Sequence, residues 1–283
     1  MGSLKDIRKR ISSVKETKKI TRAMNMVASA KLRRTEDKLL SLRPYADELI
    51  ELIETINYHI QSENPFYAER EKGYPLYVFI SADKGLCGAF NSKITKKAQE
   101  LLNESSECES VIIGKKAKRY FDRNDMDYIN SYIDFFEELS YNDAKKVANF
   151  LSEYYLKNEK IKEIIFVYNR FKNTIVSNTT VEKFLPRKRE ESGEEEKKVY
   201  ESEPDLKSML TYAITEYLES EVYRIMLESL TSEHGARMAA MDAATDNAQD
   251  MIDNLTMEAN RKRQAEITKE ISEIVGGSNA LEG

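Results

Sequence analysis

Two cysteines, Cys87 and Cys108, and two histidines, His59 and His234, are all that this 283-residue chain offers in thiol and imidazole chemistry. A bound transition metal needs several such ligands at close spacing, and these four are scattered. Nucleophilic chemistry needs a thiol with a base beside it. Cys87 falls near the start of a predicted helix, where a thiolate is favoured, but both histidines lie in distant helical stretches, and the residue reads as a small buried thiol. The remaining chemical candidate is SADKGLCGAFN, Ser81 to Asn91, set between a predicted strand and a helix where α/β proteins place phosphate loops. It matches neither G-x-G-x-x-G nor G-x-x-x-x-G-K-[ST], because Gly85 and Gly88 stand alone with no Lys-Ser/Thr pair behind them. A tight turn is expected, with Asn91 as the helix cap. No cofactor and no metal are expected, and the chain reads as a non-catalytic protein.

The elements around that loop are set by an uneven distribution of breakers. Ser3 to Asn64 contains no Gly and one Pro, Pro44; Asp205 to Val275 contains no Pro and one Gly, Gly235. Each stretch predicts one continuous helix, roughly 90–105 Å long at 1.5 Å per residue, with Pro44 as a bend or weak point. Leu39, Leu42, Ala46, Leu49, Ile53, Ile56 and Ile60 alternate spacings of three and four, the a/d seam of a left-handed coiled coil. Leu4, Ile7, Ile11 and Val14 follow the same rule until Lys18 and Thr21 interrupt it. In the C-terminal stretch Met241, Ala244, Ala248, Met251 and Leu255, then Ile267, Ile271 and Ile274, are the apolar positions. Residues 1–43 hold 13 Lys and Arg against 4 acids, a net +9, whereas residues 201–283 hold 7 against 17, a net −10. Charge therefore predicts that the two ends pair in cis, antiparallel. That pairing also neutralises the basic run Arg8 to Arg22, so nucleic acid is not expected as a partner.

Residues 73–200 change character. Leu76–Ser81, Ser110–Gly114, Ile164–Tyr168 and Thr174–Leu185 read as strands, with a turn at Phe171–Asn173 and an amphipathic helix through Ala144, Val147, Ala148, Leu151, Tyr154 and Tyr155. The expected fold is a small Rossmann-like α/β domain, parallel in its core with an antiparallel edge, carried on a long antiparallel coiled coil. The expected organisation is residues 1–64 and 205–283 as the two long helices and 73–200 as the α/β domain, with Arg187–Lys198 as a solvated loop. A charged fraction of 33%, above the ~25% usual for globular chains, suits an extended helical pair. Few cysteines, no apolar run of ~20 residues and no apolar signal segment point to a cytoplasmic protein.

Two segments, Ile20–Met26 (ITRAMNM) and Ser232–Arg263, mix polar, small and Met positions around the whole helix, as a surface that touches several partners would. They also carry a resemblance. IRKRISSVKETKKITRAMNMVASAKLRR (7–34) and SEHGARMAAMDAATDNAQDMIDNLTMEANRKRQAEITKEISEIVGGSNAL (232–281) resemble the two signature regions of the gamma subunit of bacterial F-type ATP synthase, and SADKGLCGAFN resembles a third block of that family. The resemblance implies a non-catalytic central rotor shaft inside three alpha and three beta subunits, resting on the c-ring and the epsilon subunit. It implies peripheral attachment to the cytoplasmic face of a bacterial membrane, through the c-ring. By motif position, Met24, Arg237, Arg263, Gln264, Thr268, Glu270 and Glu273 would contact the alpha/beta ring, Met24 near the acidic coupling loop of beta. Tyr200 and Glu201 would meet the c-ring or epsilon, with Ser202 standing where many relatives have Pro and Gly235 where many have Ala. The readings left beside it are a coiled-coil adaptor or nucleic-acid-binding protein, and a nucleotide-using enzyme built on the central domain.

Overall fold

A computed structural model describes residues 3–60, 64–172, 177–187 and 205–281. In chain order the elements are α1 (Leu4–Ile60), β1 (Tyr74–Ile80), α2 (Phe90–Glu104), β2 (Glu109–Ile113), α3 (Lys115–Arg123), β3 (Asn130–Tyr132), α4 (Tyr141–Lys157), β4 (Ile161–Phe171), β5 (Ser177–Leu185) and α5 (Leu206–Leu281). Contacts divide the chain into two compact units, one of residues 28–237 and one of residues 1–27 with 238–283. Both long helices run through both units. Pro44 lies inside α1, which is not broken there. Among the described residues no helix is long and apolar enough to cross a membrane.

The larger unit is built on a five-stranded sheet in the order β3-β2-β1-β4-β5, parallel throughout except for the antiparallel β4–β5 edge. Strand period two divides its side chains between two cores. Tyr77, Phe79, Ile112 and Val167 pack on one face against Ile94 and Ala98 of α2 and Ala117 and Phe121 of α3. Leu76, Val78, Ile80, Val111, Ile113, Ile164 and Phe166 face the other way. There they meet Val147 and Leu151 of α4, Ile53 and Ile56 of α1, and Leu210, Tyr217 and Leu218 of α5. The expected seam of α1 from Leu39 to Ile56 thus serves as one wall of an α/β core. β3 was not expected, because its three residues form no apolar run and a register against Val111–Ile113 is what makes them a strand. Helix α4 starts where sequence chemistry places it: Ser140 and Asp143 form a capping box, the Asp143 N–H donating to the Ser140 Oγ.

In the smaller unit the two helices are antiparallel, since partner numbers fall as α1 advances. Lys18 Nζ donates to Gln249 Oε1, Thr21 Oγ1 lies 2.7 Å from Thr245 Oγ1, and Asn25 Nδ2 donates to the Met238 carbonyl at 3.0 Å. Lys18 and Thr21 therefore do not interrupt the seam. The three-four spacing continues through Val14, Lys18, Thr21 and Asn25, with polar layers inserted between apolar ones such as Ile7, Ile252 and Leu255. Such layers cost stability relative to leucine but reject alternative registers, where each polar group would face an apolar one. Register here is carried by these hydrogen bonds.

Candidate functional site

In an open α/β sheet a ligand binds beyond the carboxyl ends of the strands, where strand order reverses, which here is between β1 and β4. That crevice is filled by the protein itself. Asn169, fully buried at the end of β4, donates from Nδ2 to the Phe90 carbonyl at 2.9 Å and accepts from Thr179 Oγ1 at 2.8 Å. Ala82, Cys87 and Phe90 pack there with Ala236 of α5. Asn91 is not the cap of α2: the N-cap position is Ala89, which has no side-chain cap. Its side chain reaches back instead, Oδ1 accepting from the Ala82 N–H at 3.0 Å and Nδ2 donating to Cys87 Sγ at 3.2 Å. On the β2 side, Asp83 accepts from the backbone N–H groups of Lys115 and Phe136, and Ser81 Oγ accepts from the Ala117 N–H at 2.8 Å. Of the backbone N–H groups around these strand ends, those of Ala82, Lys115, Ala117 and Phe136 are spent on side chains of this chain.

Cys87 is buried, and its thiol is pushed up by that burial and by the Glu233 carboxylate. It is therefore held as an inert thiol. Among the described residues no group of His, Cys, Asp and Glu could hold a metal ion.

Arg237, in the larger unit, directs its guanidinium to the Glu233 carboxylate at 2.5 Å and to the Gly85 carbonyl at 3.2 and 3.4 Å. Burial pushes the Glu233 carboxyl up against the pull of Arg237, so the pair holds an otherwise costly charge beneath the SADKGLCGAFN turn. Leu86, next to the carbonyl that Arg237 grips, is held at φ +61° with its side chain 63% exposed.

Met24 lies in the smaller unit, half-buried. With Ile20 and Val27 it forms one stripe at helical spacing, and those two flanking residues are 60% and 58% exposed. The signal for this stripe was present in ITRAMNMV as residues 20, 24 and 27. On α5 every side chain from Arg263 to Val275 is exposed, Gln264, Thr268, Glu270 and Glu273 among them. Ile267, Ile271 and Ile274, the last of the apolar positions of the C-terminal stretch, are exposed as well, Ile274 at 71%. The reason is length. The first turn of α1, where Ser3 groups and, more weakly, Lys262 hold the Asp6 carboxyl below its usual range, lies at the level of Lys262, so α5 continues past it with an uncovered stripe. Tyr200 and Glu201 lie outside the described residues.

A family model described as ATP synthase matches residues 3–281. The ATP synthase gamma chain of Pelotomaculum thermopropionicum is 42% identical over the full length of both chains, and that of Prosthecochloris aestuarii is 40% identical, again over the full length of both. Among solved structures, the central stalk and c-ring of Tetrahymena thermophila mitochondrial ATP synthase contains a chain 26% identical, with a TM-score of 0.60 over 80% of this chain and 99% of that one. A chain of the Euglena gracilis mitochondrial ATP synthase has the same fold, at 18% identity and a TM-score of 0.68 over 98% of this chain and 94% of that one. With a match along its whole length, the chain belongs to the ATP synthase gamma chain family.

Proposed function

We propose that this gamma chain works through many weak contacts along its uncovered helical surfaces, which bias surrounding subunits among alternative states as it turns. A gamma chain is the central rotor subunit of the F-type ATP synthase and is itself non-catalytic. In this reading the paired helices, residues 1–64 and 205–283, face three alpha and three beta subunits. The domain of residues 73–200 faces the c-ring and epsilon, with Tyr200 and Glu201 at that end, on the cytoplasmic face of a bacterial membrane. Arg263, Gln264, Thr268, Glu270 and Glu273 supply polar contacts to the ring. Met24 supplies an adaptable one beside beta. Arg237 acts through the turn that it fixes, which presents Leu86.

The observation that carries the reading is the run Arg263–Val275, exposed throughout, with Ile267, Ile271 and Ile274 on one stripe. A stripe this apolar without a facing helix is an interface waiting for its partner. A rotor shifts its neighbours only by contacting their states unequally, and a single tight contact would halt rotation. Met24→Lys is therefore expected to lower proton pumping per ATP hydrolysed by more than half in the reconstituted enzyme, while assembly with alpha and beta stays intact. Unchanged pumping per ATP together with lost assembly would count against the assignment of Met24.

A further inference from the structure

Within the larger unit, α1, the turn before α4 and α5 line a half-open cavity of about 620 Å³, within the roughly 300–1,000 Å³ of small-molecule sites. One wall is cationic. Lys31, Arg34 and Lys38 follow one another at spacings of three and four, so they share a face of α1, and like charges so placed repel. Several other cations of this unit have carboxylate partners, among them Lys84 with Glu137, Lys115 with Asp134, Lys145 with Glu219 and Arg224 with three carboxylates. Among the described residues Lys31, Arg34 and Lys38 form no ion pair.

The floor is apolar, formed by Leu139, Tyr223, Leu227 and Leu230. At its end stands His234, only 5% exposed, whose Nδ1 has no hydrogen-bond partner. The ring also borders a second cavity of about 70 Å³ with Lys31 and Arg237. Burial, Arg237 and Lys31 push its pKa down to about 3, so the imidazole is neutral. The two carboxylates on the opposite wall, Glu137 and Glu138, leave the site net positive, because Glu137 is already tied to Lys84 at 2.7 Å.

We propose that this cavity binds an organic phosphate, its phosphate group held by Lys31, Arg34 and Lys38 and its apolar or aromatic body laid over Tyr223, Leu227 and Leu230 beside His234. A phosphate fits better than a single carboxylate because three cations in a row suit three anionic oxygens, and a guanidinium among them can bind two at once. The assignment does not depend on the contact surfaces proposed above, which lie on other residues.

The test uses the full-length chain, which has no Trp, and titrates it with fluorescent 1-naphthyl phosphate and with inorganic phosphate. Naphthyl phosphate is expected to saturate one site and to bind at least about tenfold more tightly than inorganic phosphate, because the floor contributes only to the former. Substituting the exposed pair Arg34→Ala and Lys38→Ala is expected to weaken it by about tenfold or more, with the circular dichroism spectrum unchanged. The pair Lys15→Ala and Lys19→Ala, on the other unit, should leave it unaltered. Equal affinities for the two ligands, equal losses in the two double variants, or no saturation by about 5 mM would each overturn the proposal.

Discussion

Arg224→Ala is expected to lower the unfolding free energy by about 3 kcal/mol at neutral pH, because it strips the counter-charge from three partly buried carboxylates. Arg224 Nη2 lies 2.5 Å from Glu182 and 3.0 Å from Glu221, Nη1 lies 3.0 Å from Glu228, and Nε donates to Glu221 at 3.1 Å. The Tyr168 hydroxyl donates to Glu182 at 2.6 Å and to Glu228 at 3.0 Å, and the half-exposed Arg170 reaches the same two. Without Arg224, the weaker cations Arg170 and Arg187 are left to serve all three. Burial alone would raise the Glu182 carboxyl, yet Arg224, Tyr168 and Arg170 hold it below its ordinary value. A carboxyl lowered on folding contributes stability above its unfolded pKa and loses it as pH falls through the folded one. In the variant, with the Arg224 contribution gone, burial favours the protonated Glu182 carboxyl more than in the wild type. The loss should therefore be greatest at pH 7–8 and shrink as pH drops toward about 4. Urea unfolding of the full-length chain at both ends of that range reads the difference. A change below about 1 kcal/mol, or one independent of pH, would show that the cluster is only surface decoration. Arg224→Lys keeps the charge but not the fork, and should fall between wild type and alanine.

This cluster shows what kind of information the sequence withholds. Glu221, Arg224 and Glu228 stand at spacings of three and four on a helix that is plain from the sequence, but Glu182 and Arg170 reach them only because β4 and β5 pair antiparallel against that helix. The long helices are legible because each end has a single breaker, Pro44 or Gly235, over about sixty residues or more, and the three-four spacing of Leu39 to Ile56 needs no partner to be seen. The polar layers at Lys18, Thr21 and Asn25 were not legible as seam, since a polar residue at a seam position has meaning only beside its partner, here Gln249, Thr245 and Met238. Ile267, Ile271 and Ile274 carry the same spacing as a seam and yet are exposed, because the sequence does not reveal where the facing helix starts. The strands β1, β2 and β4 are apolar runs and could be read; β3 has no run and could not. Asn favours a helix cap, so Asn91 reads as one from sequence, but the demand of the buried Ala82 N–H prevails.

Gly114→Ala is expected to cost about 3–5 kcal/mol. Gly114 joins β2 to α3 with φ +100° and ψ 142°, a conformation that side-chain-bearing residues rarely adopt. A Cβ there would lie 2.1 Å from the Ser81 carbonyl oxygen and 2.7 Å from the Ser81 carbonyl carbon. No rotamer change can relieve that contact, because the obstacle is backbone. Ser81 cannot retreat, since its N–H donates to the Ile113 carbonyl at 2.8 Å and its Oγ accepts from Ala117. Gly114 cannot retreat either, since its N–H donates to the Tyr132 carbonyl at 2.8 Å. Strain at this one position therefore spreads to the ends of β1, β2 and β3 and to the start of α3. The same closeness puts the Ser81 backbone in the space that a ligand approaching Gly114 would need. Gly85 is the internal control. A Cβ at Gly85 meets only the flexible tip of Lys116, at 3.5 Å, and Gly85→Ala should change stability by less than about 1 kcal/mol. If thermal unfolding of the full-length chain gave the two variants the same midpoint, the crest would have to be looser than its hydrogen bonds require.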